Sequence, residues 1–222
     1  MAWFITGLVA CLTMVFSVLV SPRWSSKWVA PWWGRLIIAL TFSRVKKINF
    51  ENADPKTSYV VVCNHQSVYD VLAVYGYLPL EFKWVMKVEL LKIPFLGRAC
   101  KLMGHVFVDR TNTEKARESL KEAANNITDG VSAFFYPEGT RSKSGELMLF
   151  KRGAFKMAKD LNLPVLPVTI RNAHKIMPAK SLKILPNTME MIIHKPISVD
   201  EVDEYTVREL MAKSRDVILS GL

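Results

Sequence analysis

The sequence predicts an α/β domain with a largely parallel sheet flanked by helices, preceded by an N-terminal membrane-associated helical segment. From about residue 48, short apolar, β-branched runs alternate with stretches of helical periodicity. Such alternation builds crossover units whose helices cover both faces of a parallel sheet. Residues 1–20, by contrast, carry no charge and are almost wholly apolar.

As a helix rising about 1.5 Å per residue, residues 1–20 cover roughly 30 Å, enough to span the hydrocarbon core of a bilayer. No basic stretch precedes this run and no small-x-small cleavage site follows it, which argues against a cleaved signal. After Pro22 come Trp24, Trp28, Trp32 and Trp33, interleaved with Arg23, Lys27 and Arg35. Indole rings and cationic heads both settle in the headgroup layer. The second apolar piece, residues 36–42, is too short to cross alone. The segment is therefore either a spanning helix followed by an interfacial one, or a helical hairpin in one leaflet. The alternative is that these aromatics pack on the domain itself. Residues 1–45 are assigned to this anchor and 46–222 to the domain that carries the chemistry.

Within the domain, residues 59–63, 83–86, 105–108, 131–136, 165–170 and 189–194 read as strands. Residues 67–77, 112–128, 152–161 and 203–219 read as helices. No internal repeat, low-complexity tract or long linker divides them.

The formal charge of +10 and a pI near 9.6 favour polyanionic partners: nucleic acid, anionic lipid or phosphorylated small molecules. Arg23, Lys27, Arg35, Arg44, Lys46 and Lys47 all precede the first acidic residue, Glu51. A basic excess beside an apolar segment suits the cytoplasmic membrane surface. Nucleic acid is disfavoured, because the aromatics cluster at the hydrophobic N-terminus and do not alternate with basic residues along a sheet face. The three cysteines, Cys11, Cys63 and Cys100, lack metal-ligand or Cys-x-x-Cys spacing. Neither a disulfide framework nor a zinc site is expected.

Three constellations carry chemistry. In the first, Asn64-His65-Gln66-Ser67-Val68-Tyr69-Asp70 follows a strand, at the edge where ligands of α/β sheets bind. His65 there can take a proton from a substrate hydroxyl while Asp70 orients the imidazole. No Gly-x-Ser-x-Gly elbow is present, so the substrate would supply the nucleophile. Equally, Ser67-x-x-Asp70 is a capping-box pattern, and Asp70 then only stabilises a helix start. In the second, Gly104 to Arg110 ends in Asp109 and Arg110. Arg110 can clamp a phosphate through two parallel hydrogen bonds, or the pair can cap the helix that starts near Asn112. In the third, Phe134 to Ser142, Pro137 stops a strand, Gly139 permits a tight turn and Arg141 presents a charge. Glu138 can brace an arginine or the acceptor hydroxyls, or the segment is a surface turn with an internal ion pair. Downstream, Lys151 and Arg152 near a helix start add to anion attraction, and residues 165–170 read as core.

The order Asn-His-Gln-Ser-x-x-Asp, Gly-x-x-Phe-x-Asp-Arg, Phe-x-Pro-Glu-Gly-Thr-Arg-Ser and Leu-Pro-Val-x-Pro-Val, over about residues 58 to 171, resembles the 1-acylglycerol-3-phosphate acyltransferase family. The resemblance implies the glycerolipid acyltransferase fold, with catalysis by His65 and Asp70 of the His-x4-Asp motif. It implies phosphate binding by Arg110 and Arg141, with Lys87 as a further phosphate contact, and acceptor-binding or structural roles for Glu138, Gly139, Thr140 and Asn64. The implied reaction moves a fatty acyl group from acyl-CoA or acyl carrier protein to the sn-2 hydroxyl of lysophosphatidic acid, giving phosphatidic acid. No metal or prosthetic group is implied, and the bilayer is a partner, with the active site on its cytoplasmic face. A sister enzyme using another lysolipid or glycerol-3-phosphate, and a non-catalytic membrane lipid-binding protein, are the alternatives.

Overall fold

The computed structural model describes residue 14 and residues 20–109, 111–142, 145–178, 181 and 183–222. The expected spanning helix over residues 1–20 lies almost wholly outside them. Among the described residues no helix is long and apolar enough to cross a membrane.

Helix α1, Pro22–Leu40, is continuous, so residues 36–42 are not a separate apolar piece. Ser21 caps it, its side chain accepting from Trp24 N at 3.0 Å, and Pro22 occupies the first turn, where a missing N–H costs nothing. The helix lies against α2, Val68–Tyr77, at a glycine contact: a Cβ on Gly34 would sit 2.5 Å from Leu72 O. Only glycine allows that approach. Trp33 packs edge-on against Tyr75 with centroids 5.6 Å apart, whereas Trp24, Trp28 and Trp32 are exposed. The two expectations for the aromatics thus divide: one indole joins the domain and three face outward.

The sheet has seven strands: β1 Arg44–Ile48, β2 Val60–Cys63, β3 Glu81–Lys87, β4 Val106–Val108, β5 Val131–Phe135, β6 Val165–Arg171 and β7 Thr188–Ile193. Their order is β1-β7-β6-β2-β5-β3-β4. Strands β2 to β6 are mutually parallel, β7 runs antiparallel to β6, and β1 pairs parallel with β7. The largely parallel sheet matches the sequence expectation. Strand β1 was not expected: Arg44, Lys46 and Lys47 make it a polar edge strand with no apolar signal. The sheet therefore starts at Arg44, inside the segment assigned to the anchor.

Alternate residues of the central strands feed two cores, as a period of two requires. Val61 and Cys63 face α1, α2, α3 (Leu96–Leu102) and a short α6 (Ala173–Ile176). Val60 and Val62 face α4 (Thr113–Ala124), α5 (Gly153–Leu161), α7 (Val199–Glu204) and α8 (Val207–Ser220). Helix α3 gave no clear periodic signal. The single helix expected over 203–219 is two, because Ser198 with Glu201 and Thr206 with Glu209 each form a capping box.

Candidate active site

All five parallel strands end at one edge, and the edge takes its geometry from β2. At its end the Asn64 side chain behaves as one more residue of sheet. Its Nδ2 donates to Ile170 O at 2.7 Å and its Oδ1 accepts from Ile170 N at 2.8 Å. Both Ile170 groups are buried, so losing this amide leaves each unsatisfied at about 1–3 kcal/mol. The chain then leaves the sheet and delivers His65 to the edge.

The His65 ring is held on two sides. Its Nδ1 lies 2.9 Å from Asp70 Oδ2, and the same oxygen accepts from Gln66 N at 2.6 Å and Ser67 N at 2.8 Å. Ser67 Oγ in turn accepts from Tyr69 N at 3.2 Å, completing a capping box. The two readings left open for Asp70 coexist in one oxygen atom: it caps α2 and it orients the imidazole. With the carboxylate accepting, the hydrogen-bond pattern assigns the proton to Nδ1 and leaves Nε2 with a lone pair. The ring also stacks on Tyr136, centroids 3.9 Å apart and planes 9° from parallel. Tyr136 belongs to an aromatic cluster with Trp84 and Phe134. Sequence reasoning missed this platform; the only signal was an aromatic residue directly before Pro137.

The His65 backbone is gripped as firmly. Glu138 Oε1 accepts from His65 N at 2.6 Å and Oε2 from Met148 N at 2.9 Å, while Ser142 N donates to His65 O at 2.8 Å. The turn that makes this possible closes with Gly139 N donating to Tyr136 O at 3.0 Å, and Gly139 has a φ of +77°, where a side chain is strained. Burial raises the Glu138 carboxyl above the usual glutamate range, against the opposing pull of the two backbone N–H donors. Glu138 thus braces the loop that carries His65 and makes no ion pair among the described residues.

Arg141 is half-buried one residue from Ser142, and Thr140 beside it is exposed. Lys87 is exposed at the end of β3, two strands from β2, or about 10 Å at the usual strand spacing. It pairs with Val108 at the end of β4, so the segment entering the Asp109-Arg110 motif shares this edge. Arg110 itself lies outside the described residues. Asp109 is occupied by Thr111, accepting from its N at 2.9 Å and its Oγ1 at 2.6 Å, which holds the carboxyl below its ordinary pKa. Asn112, not Asp109, caps α4, accepting from Lys115 N at 3.0 Å. Gln66, a further residue missed as a site component, donates to Gly145 O at 2.6 Å and bonds His174 Nδ1 at 3.1 Å.

Among the described residues no cluster of three or more His, Cys, Asp or Glu side chains is arranged to hold a metal. Burial pushes the thiols up, Cys100 to about 12 and Cys63 well above its usual value, so neither is a ready nucleophile. The arrangement is an imidazole positioned by a carboxylate, with no reactive thiol beside it among the described residues. It suits deprotonation of a substrate hydroxyl.

A family model described as Acyltransferase matches residues 44–171. The chain is 37% identical over 178 residues to the chloroplastic 1-acyl-sn-glycerol-3-phosphate acyltransferase of Arabidopsis thaliana, covering 77% of this chain and 50% of that one. It is 27% identical over 219 residues to the 1-acyl-sn-glycerol-3-phosphate acyltransferase of Saccharomyces cerevisiae, covering 97% and 72%. The crystal structure of the 1-acyl-sn-glycerophosphate acyltransferase PlsC from Thermotoga maritima superposes with a TM-score of 0.83 at 25% identity, covering 99% of this chain and 91% of that one. The chain spans about half the length of the plant relatives it matches.

Proposed function

Because the chain belongs to the acyltransferase family, we propose that it transfers a fatty acyl group from acyl-CoA or acyl carrier protein to the sn-2 hydroxyl of lysophosphatidic acid. The observation that carries this reading is the 2.9 Å contact of His65 Nδ1 with Asp70 Oδ2 at the ligand-binding edge of the sheet. Its Nε2 lone pair takes the hydroxyl proton as the oxygen attacks the thioester carbonyl. A C–O bond forms, the tetrahedral intermediate collapses with cleavage of C–S, and the imidazolium returns its proton to the departing thiolate. Atoms and charges balance without a metal or prosthetic group.

Arg141, Lys87 and Arg110 would hold the acceptor phosphate and so aim the hydroxyl. Each charge-assisted contact supplies about 1.5–3 kcal/mol. The exposed indoles of Trp24, Trp28 and Trp32 support attachment of residues 1–45 to a bilayer, with residues 46–222 catalytic on its cytoplasmic face. Mass spectrometry of products from purified protein given lysophosphatidic acid, other lysolipids and glycerol-3-phosphate with mixed acyl donors tests the assignment. Phosphatidic acid as the main product supports it. Acylation of a different acceptor in preference, or no acylation, removes it.

A further inference from the structure

Directly after β3 the chain makes a 3-10 turn, Val88–Lys92, and then runs through Ile93, Pro94 and Phe95 into α3. Leu90, Leu91, Ile93 and Phe95 are all exposed, Phe95 by 57%. This is a locked segment. Phe95 has φ +62° and ψ −51°, and Leu96 N donates across it to Pro94 O at 2.6 Å, closing a positive-φ γ-turn. That conformation is rare and strained for a bulky residue. Gly97 N donates to Ile93 O at 3.0 Å, and a Cβ on Gly97 would lie 2.4 Å from Leu91 O and 2.6 Å from Leu91 Cα. The backbone is therefore clasped against α3 while its apolar side chains point away from both cores. Phe95 is the most open of the four, while Leu90, Leu91 and Ile93 are each exposed by a little over a third.

We propose that residues 88–98 are a second membrane contact, at the mouth of the site, whose occupant is a bilayer surface containing anionic lipid. Exposed Lys87, Lys92 and Arg98 flank the apolar group, form no ion pair among the described residues, and outweigh the one acid between them, Glu89. Apolar side chains set among cations match an interface of acyl chains beneath phosphates. The segment begins at the end of β3, on the sheet edge that carries His65. Two other exposed apolar residues share that edge: Val68, three residues after His65, and Leu149, next to the Met148 that binds Glu138. The segment also lies on the side of the sheet covered by α1. A soluble acidic partner would be recognised by the cations, but it gives no reason to hold the Phe95 ring in water against backbone strain. The consequence is that a lysolipid reaches the base sideways from the bilayer, without leaving it.

This inference deepens the proposed function, and its test separates the two. A fluorine label on Phe95 of the full chain, read by NMR on phosphatidylcholine vesicles with phosphatidylglycerol and a spin-labelled lipid, is expected to broaden. The broadening should weaken in high salt. A resonance left sharp by vesicles, or one shifted only by acyl carrier protein, overturns the proposal. The double variant Leu91→Gln with Phe95→Gly relieves the backbone and should not unfold the chain. Its turnover of vesicle-borne lysophosphatidic acid should fall about tenfold, with turnover of a short-chain, monomeric acceptor unchanged. Equal loss on both acceptors overturns the membrane contact. Absence of turnover by the unmodified protein on either acceptor would sink the proposed activity and leave the label result standing.

Discussion

Two histidines of this chain sit among aromatic rings with a strong hydrogen bond each, and they are chemically opposite. His105 is buried with both ring nitrogens engaged: Nδ1 accepts from Trp84 N at 3.3 Å, and Nε2 bonds the Tyr75 hydroxyl at 2.7 Å. Burial, with the Lys83 ammonium adding to it, pulls its pKa down to about 3, so it stays neutral and structural. His65 has one nitrogen held by a carboxylate and its ring face covered by Tyr136, and no partner to its other nitrogen is seen among the described residues. In the proposed reaction the difference lies in the hydrogen-bond partners: His65 has a carboxylate on Nδ1, whereas His105 has both ring nitrogens taken by neutral groups.

The contrast can be broken by substitution, with the largest effect on turnover at His65. His65→Ala should lower kcat by about 10³–10⁴ while thermal unfolding stays near that of the unmodified protein. Native turnover in that variant would show that another group does the chemistry. Asp70→Asn comes next, with an expected loss of about 10²–10³. The amide oxygen of asparagine can still accept from the backbone N–H groups of Gln66 and Ser67 in the capping box, so full activity in this variant would leave Asp70 with the capping role alone. Arg141→Ala or Lys87→Ala should raise KM for lysophosphatidic acid by roughly 10–100-fold with a smaller change in kcat. Steady-state kinetics with unchanged KM in both would remove them from the phosphate site.

The smallest effect on turnover belongs to His105→Gln, which should act on stability and its pH dependence instead. In the folded chain His105 takes up its proton only near pH 3, whereas in the unfolded chain it does so near pH 6.5. The unfolded state thus binds the extra proton over that interval, so stability falls as pH drops through it, by up to about 1.4 kcal/mol per pH unit. Urea denaturation from pH 7 to pH 4 should show a shallower decline in the variant. An identical decline would mean that other groups set the acid sensitivity.

Tyr136, Glu138 and Gln66 mark where sequence reading ran out at the site. Each was visible as a residue type, but none could be assigned its partner. Glu138 and His65 are 73 residues apart, and Gln66 and His174 are 108 apart. Glu138 was read as a brace for an arginine or the acceptor, yet its two oxygens are taken by backbone N–H groups. Elements with strong local periodicity, such as β2, β6 and α5, were legible. Strand β1 was not, because an edge strand needs no apolar face, and α3 was not, because its few turns owe their place to Gly97 fitting under Leu91.

By itself the sequence determined the alternation of buried strands and helices, the His-x4-Asp pair and its helix cap, and the basic, indole-rich segment that precedes the domain. All of these rest on residues within a few positions of one another, where periodicity and capping chemistry act directly. Only the tertiary structure decided that Tyr136 lies flat on His65, that Glu138 and Ser142 hold its backbone, and that Phe95 is held exposed on a positive-φ turn after β3. Those contacts depend on β2 lying between β5 and β6 in one register, with Val62 opposite Phe135 and Pro167. Register follows from how the whole sheet buries its apolar residues, a property no single segment contains.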